Sequence, residues 1–126
     1  MENSNFVSLW LVKVNDEETL ENVTSNIFND DGDSVPSKFA ELYEIGYNHD
    51  FSEIEYVGEK ESIAEILDGF SYCDEIIPIF EQVKIDIKEF NSVILLYGLK
   101  YTGEKTDGIV GDCKFKFIGC AKYECE

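Results

Sequence analysis

The pattern of apolar and polar positions predicts that the chain forms short strands and short helices, interspersed along its length. Residues 6–14 form a nearly continuous run of leucine, aromatic and β-branched side chains, which indicates an interior strand covered on at least one face. Leu20, Val23 and Ile27 then recur at helical spacing behind a capping asparagine and three acids. The pattern therefore predicts a helix over residues 16–27.

The middle of the chain is punctuated by turn and capping residues. An Asn/Asp/Gly turn at residues 29–33 precedes a short helix that Gly46 ends, and the pattern over residues 47–57 indicates a strand. A serine followed three residues later by glutamate predicts a helix over residues 62–68. The pattern predicts a further helix over residues 71–83. Pro78, inside it, must either kink this helix or lie in the first turn of a new one.

The last third of the chain has the pattern of two strands. Residues 92–101 and 113–123 are rich in apolar side chains and flank a glycine-rich loop, so we predict a hairpin. The predicted fold is a single α+β domain spanning residues 1–126. It has an antiparallel or mixed sheet of about four strands with helices packed on one face.

Composition supports a real hydrophobic core. The chain has 126 residues, of which 44% are hydrophobic and 13% aromatic. A domain of this length buries about two thirds of the surface that its unfolded chain exposes, and these side chains can fill such a core. Intrinsic disorder combines high charge with few aromatic residues, so it is excluded.

The sequence has 27 acidic residues and 10 basic residues, all of them lysines, so its net charge is −17. This charge limits the kinds of molecule that the protein can bind. Such a surface repels nucleic-acid phosphates and anionic lipids, so we expect neither direct nucleic-acid binding nor membrane binding. The charge is uneven: residues 1–83 hold twenty acids and three lysines, whereas residues 84–126 hold seven of each. Basic proteins are the expected partners.

Candidate chemistry in the sequence is sparse. Placing Gly32 at the sixth position of a calcium loop puts Ile27 first and Lys38 twelfth, where acidic ligands are required, so that match fails. His49 beside Asp50 is the only histidine, and no motif joins it to a nucleophile. We therefore predict no catalysis, no bound metal and no cofactor.

The four cysteines and the N-terminus bear on the cellular compartment. No two cysteines have the two-residue spacing of zinc or redox sites, and Cys113 and Cys120 fall on one predicted strand, too far apart to bridge. No basic segment precedes an apolar run near the N-terminus, and the longest apolar run is five residues, 93–97. Reduced thiols and a cytoplasmic location are expected.

Acids and aromatic side chains that share loops are the candidate partner contacts. Tyrosines set among carboxylates, as at positions 43, 47, 56 and 72, suit a protein-binding surface better than a core. We predict that the partner surface includes Asp30, Asp31, Asp33, Tyr47, His49, Asp50 and Tyr72.

Several segments together resemble the immunity protein 22 family of bacterial polymorphic-toxin systems. The resemblance spans nearly the whole chain and is carried by residues 31–39 together with Val7-Ser8-Leu9-Trp10, Ile45-Gly46-Tyr47, His49-Asp50-Phe51, Gly69-Phe70-Ser71-Tyr72, Val93-Ile94-Leu95-Leu96-Tyr97 and Phe115-Lys116-Phe117-Ile118-Gly119.

The resemblance implies a small non-catalytic cytoplasmic antitoxin that binds the C-terminal toxic domain of a cognate toxin. A toxin that acts on nucleic acid must present a basic groove, which an acidic protein can fill as a phosphate mimic. A basic nuclease domain is therefore the expected partner. The alternative is an acidic adaptor or regulatory module that binds an endogenous basic protein, and an enzyme with a carboxylate-based site is the third choice.

Overall fold

The computed structural model describes residues 6–25, 27–28, 34–46, 51–70 and 72–123. Seven strands and four α-helices follow one another in the described residues, with a short 3₁₀ helix at Ile87–Glu89. In chain order they are β1 (Phe6–Lys13), α1 (Glu17–Thr24), β2 (Ile27–Phe28), β3 (Ser34–Val35), α2 (Lys38–Tyr43), β4 (Ser52–Tyr56), α3 (Ile63–Ile66), α4 (Cys73–Phe80), β5 (Ser92–Tyr97), β6 (Asp107–Val110) and β7 (Cys113–Lys122).

Five of the strands form one antiparallel sheet in the order β4-β5-β1-β7-β6. The predicted α+β class is confirmed, with five strands in this sheet rather than about four. The predicted hairpin between residues 92–101 and 113–123 is wrong, because β1 lies between β5 and β7 and pairs with both. The hairpin of the C-terminal third joins β6 to β7 instead.

Helices cover both faces of the sheet, so the prediction that they pack on one face is wrong. Leu9 and Leu11 of β1 join α3 and α4 in one core cluster. Trp10 and Val12 join α1 and α2 in the other. Successive strand side chains point to opposite faces, so the continuous apolar run of β1 fills both clusters.

Three helices begin at a capping side chain, although the cap of α1 is Asp16 rather than the predicted asparagine, Asn15. The side chains of Asp16, Ser37 and Ser62 accept hydrogen bonds from backbone N–H groups three residues further on. The helices are shorter than predicted, because α1 ends at Thr24 and α3 at Ile66. Helix α4 runs through Pro78 without a break.

A bulge in β7 allows that strand to contribute side chains to both core clusters. Leu9 pairs with Gly119 but Trp10 pairs with Phe117, so Ile118 is the extra residue. Phe117 packs against the cluster around Trp10, whereas Ala121 belongs to the opposite cluster. Strict alternation would have placed these two side chains on one face.

An aromatic cluster surrounds Trp10, which is fully buried. The Trp10 ring packs edge to face on Phe39, with centroids 5.1 Å apart, and lies 5.4 Å from the ring of Tyr43. Tyr43 was predicted to suit a binding surface, but it is buried and donates a hydrogen bond to the carbonyl of Thr106 at 2.7 Å. Burial raises the pKa of its hydroxyl. Tyr43 is therefore part of the core.

Candidate functional site

The described residues include one of the seven predicted partner contacts, Tyr72. The other six lie outside the described residues, and they are Asp30, Asp31, Asp33, Tyr47, His49 and Asp50. In the chain, Asp30, Asp31 and Asp33 fall between β2 and β3, and Tyr47, His49 and Asp50 fall between α2 and β4.

Tyr72 precedes α4 in a conformation that is unusual for a residue with a side chain. Its backbone has φ 60° and ψ 20°, in the left-handed region, and its side chain makes no capping hydrogen bond. Such a conformation costs about 1–2 kcal/mol in a residue other than glycine. It persists because surrounding contacts fix it.

The ring of Tyr72 belongs to a tyrosine cluster formed with Tyr97 and Tyr123. Its centroid lies 4.7 Å from that of Tyr123 and 6.0 Å from that of Tyr97. Tyr72 remains 38% exposed, whereas Tyr123 is buried. The ring of Tyr72 is therefore partly exposed to solvent while it packs on Tyr97 and Tyr123. Such a fixed, exposed aromatic ring suits a protein contact.

On the other face of the sheet, α1 and β4 enclose an open depression of about 340 Å³. Glu17 and Glu21, one turn apart on α1, line it together with Tyr56 of β4. We call these three residues the acidic cleft. All three are exposed, and Tyr56 is 40% exposed. Glu55 precedes Tyr56, and its side chain lies with that of Glu53 on the opposite face of β4.

The sequence of α1 explains why its acids line the cleft. Leu20 and Val23 are buried in the core cluster around Trp10, whereas Glu21, between them, is exposed, and Glu17, one turn before Glu21, is exposed as well. The carboxylate of Asp16 caps the helix by accepting from the hydroxyl and the backbone N–H of Thr19, at 2.6 and 2.8 Å. These hydrogen bonds lower the pKa of Asp16.

Strand β4 carries exposed aromatic side chains at both of its ends. Phe51, directly before the strand, is 62% exposed, and Tyr56 is its last residue. Tyr56 was among the tyrosines that the sequence singled out, but the acids of the cleft were not. Acids on the outer face of a helix are ordinary solvated residues in most proteins, so sequence alone gave no reason to choose Glu17 or Glu21.

The described ion pairs involve lysines of β7 and not the acids of the cleft. In the described parts of the chain, the ion pairs join Lys114 to Glu89 at 3.3 Å and Lys116 to Asp107 at 3.2 Å. Both lysines lie on β7, in the charge-balanced part of the sequence. The carboxylates of the acidic cleft form no ion pair with a described lysine, so their charge faces solvent.

The described residues contain no group of three His, Cys, Asp or Glu side chains able to hold a metal ion. Cys73, Cys113 and Cys120 are free thiols, and burial raises the pKa of Cys113. His49, the one histidine of the sequence, lies outside the described residues. No helix in the described ranges is long and apolar enough to cross a membrane.

The fold and surface define a small α+β protein whose described surface includes an acidic cleft with an exposed aromatic ring. Comparison with protein families gives its class directly: the profile of the family described as Immunity protein 22 matches residues 7–124. The chain belongs to that family, and membership indicates an antitoxin role with a cognate toxin as partner. Neither the curated proteins nor the solved structures gave a match.

Family membership is consistent with where the resembling segments lie. Trp10 lies in β1 at the centre of one core cluster, residues 93–97 lie in β5, and Phe115 and Phe117 of β7 pack in the same cluster as Trp10. These segments therefore support the core of the sheet rather than a site. Immunity proteins are in general non-catalytic, so function is to be sought on the surface.

Proposed function

We propose that the chain neutralises a cognate nuclease toxin by binding its toxic domain through the acidic surface of residues 1–83. The observation that carries this proposal is the charge separation. The first two thirds of the sequence hold the entire net charge of −17, and the carboxylates of the acidic cleft are free of described lysine partners. The protein acts by occupying the toxin, without chemistry of its own, in the cytoplasm of the producing cell.

Electrostatics support a nuclease as the target. A nuclease binds a polyanion and therefore carries a basic groove, and clustered carboxylates are attracted to the same groove. Complementary charge also raises the association rate from about 10⁵–10⁶ to as much as about 10⁸–10⁹ M⁻¹s⁻¹ at low salt. Fast capture is what an antitoxin requires, since each free toxin molecule damages the cell until it is bound.

Aromatic side chains supply the short-range part of the proposed contact. Exposed charges steer association but contribute little affinity one by one, whereas a few buried aromatic anchors dominate most interfaces. Phe51 and Tyr56 stand exposed beside the acids of β4, and Tyr72 is exposed on the tyrosine cluster. The predicted contacts that precede β4 are Tyr47, His49 and Asp50, which lead directly into Phe51 in the chain.

Co-expression with the toxin domain encoded beside this protein tests the proposal. We expect the wild-type chain to restore growth, to copurify with the toxin and to stop its degradation of DNA or RNA in vitro. The variant Glu17→Gln/Glu21→Gln should protect less well. A matched control, Glu104→Gln/Asp112→Asn, removes the same charge from exposed positions of residues 84–126 and should protect fully.

Each arm of this experiment can contradict a different part of the proposal. A toxin domain that degrades neither DNA nor RNA would overturn the nuclease assignment but not the antitoxin role. Equal protection by the cleft variant and the control would overturn the acidic cleft as the contact. Capture of an endogenous basic protein in place of the toxin would favour the adaptor alternative.

A further inference from the structure

Strand β6 forms the edge of the sheet opposite β4, and in the described parts of the chain β7 is its one strand partner. It is joined to β7 by a two-residue turn in which Gly111 has φ 57°, as two-residue hairpin turns require. On one face α2 packs against the strand, since a Cβ on Gly108 would lie 2.5 Å from Cδ2 of Leu42. Ile109, on the other face of the strand, is exposed, and it shares a depression with Glu89 and Phe90 at the end of the 3₁₀ helix.

The hydrogen-bond pattern shows which backbone groups point outward. The N–H of Phe117 donates to the carbonyl of Thr106 at 2.8 Å, so this pair is bonded to β7. Bonded and non-bonded pairs alternate along an antiparallel ladder, so Gly108 also bonds to β7 while Asp107 and Ile109 do not. The N–H and C=O groups of Asp107 and Ile109 therefore face away from the sheet, ready to pair with another strand.

The side chains at this edge suit a protein contact rather than solvent. Ile109 is 67% exposed, more than any other large apolar side chain in the described residues. Edge strands are normally guarded against pairing by an unpaired charge. Here the one charged residue of the strand, Asp107, is neutralised by Lys116 at 3.2 Å.

Charge identifies the occupant of this edge. A basic partner is attracted to residues 1–83, which hold the net charge of −17, and not to residues 84–126, whose net charge is zero. A second copy of this chain is itself strongly acidic, and the charge-balanced region is where two copies can meet with least repulsion.

We propose that two copies of this chain associate through β6, side by side and antiparallel, to form one continuous sheet. With Gly108 on the two-fold axis, Asp107 of each copy forms a bonded pair with Ile109 of the partner copy, which uses every outward-facing backbone group of both residues. The two Ile109 side chains then lie diagonally on the same face, within reach of each other. The acidic cleft, at the opposite edge, stays open on both copies.

The association state of the purified chain tests this proposal without any toxin. Sedimentation velocity over a concentration series should show a monomer–dimer equilibrium for the wild type. Ile109→Pro removes one outward N–H while leaving the β6–β7 bonds intact, and we expect it to raise the dimer dissociation constant at least about tenfold. Raising salt from about 0.1 to about 0.5 M should strengthen the wild-type dimer, because it screens repulsion between two acidic chains.

Two further variants serve as a control for the Ile109 substitution and as a replacement for it. Ile79→Lys changes an apolar side chain that is 37% exposed on α4, away from β6, and should dimerise as the wild type does. If Ile109→Pro loses its native circular dichroism spectrum, Ile109→Lys replaces it. A wild type that is monomeric throughout, or a folded Ile109 variant that dimerises normally, would overturn the proposal. Toxin neutralisation does not depend on either outcome.

Discussion

The hydroxyl of Tyr97 donates a hydrogen bond to the carboxylate of Glu53 across 2.6 Å, and this bond ties the edge strand β4 to its neighbour β5. It lies on the face of the sheet that carries α3 and α4, beside the ring of Tyr72. Burial and the bond to Glu53 both raise the pKa of Tyr97. The same hydrogen bond therefore stabilises the tyrosine cluster through Tyr97 and strand β4 through Glu53.

Removing this hydroxyl should destabilise the fold. We expect Tyr97→Phe to lower the free energy of unfolding by about 1–3 kcal/mol, because a hydrogen bond to a charged acceptor is lost while the ring contacts remain. Urea denaturation at neutral pH measures the change. Tyr56→Phe, at an exposed position of β4, serves as the control and should unfold as the wild type does. Equal stability of Tyr97→Phe and wild type would show that the bond contributes nothing.

The raised pKa values of Tyr97 and Tyr43 predict a loss of stability in alkali. In the folded state both hydroxyls keep their protons above pH 10, whereas tyrosines of the unfolded chain release theirs near about pH 10. The unfolded state is then favoured increasingly, so the free energy of unfolding falls as the pH rises past about 10. Tyr97→Phe should show a shallower fall in denaturation curves at stepped pH. A wild-type stability that is flat to pH 11 would contradict these assignments.

Gly103 is predicted to tolerate no side chain. A Cβ at this position would lie 2.5 Å from the hydroxyl oxygen of Tyr101 and 2.6 and 2.8 Å from two atoms of its ring. That ring is held between Trp10 and Phe117, with centroids 5.4 and 4.7 Å away, so it cannot move aside freely. We expect Gly103→Ala to lower the melting temperature and to cost about 1–3 kcal/mol. Gly46→Ala, where a Cβ would meet nothing within 4 Å, should be close to neutral.

Much of the fold could be predicted from sequence because its signals are local. Continuous apolar runs identify β1 and β5, and a capping signal identifies the start of α3 at Ser62 and that of α1 to within one residue. Strand order could not be predicted in the same way, since periodicity gives a strand but not its neighbour. Strand β6 was missed because four residues within a glycine-rich segment carry too little pattern.

The surface could be predicted less well than the core. The charge separation is a property of the sequence and indicated an acidic partner surface, and Tyr72 is exposed as expected. The cleft depends on α1 and β4 coming together from positions more than twenty-five residues apart, which no local pattern encodes. Tyr43 shows the opposite error, since its neighbouring acids suggested a surface while its ring fills the core around Trp10.

Neutralising the acidic turn tests the contacts that sequence alone proposed. The variant Asp30→Asn/Asp31→Asn/Asp33→Asn should weaken toxin binding, with stability unchanged or slightly raised because self-repulsion is relieved. Lys114→Gln/Lys116→Gln is the control, and the ion pairs that it breaks are half-exposed and contribute less than about 1 kcal/mol each. Isothermal titration against an inactivated toxin domain gives the affinities. Normal binding by the aspartate variant, with loss in the lysine variant, would place the contact on β7.

The salt dependence of the association rate with the inactivated toxin domain is the most direct test of acidic capture. We expect the wild-type rate to fall at least about tenfold between about 0.05 and 0.5 M salt, with a much smaller change in dissociation. Glu17→Gln/Glu21→Gln should associate more slowly and with a shallower salt dependence. Glu104→Gln/Asp112→Asn, with the same net charge, should keep the wild-type dependence. A wild-type rate that is flat across salt, or the same curve for both variants, would contradict capture through the acidic cleft.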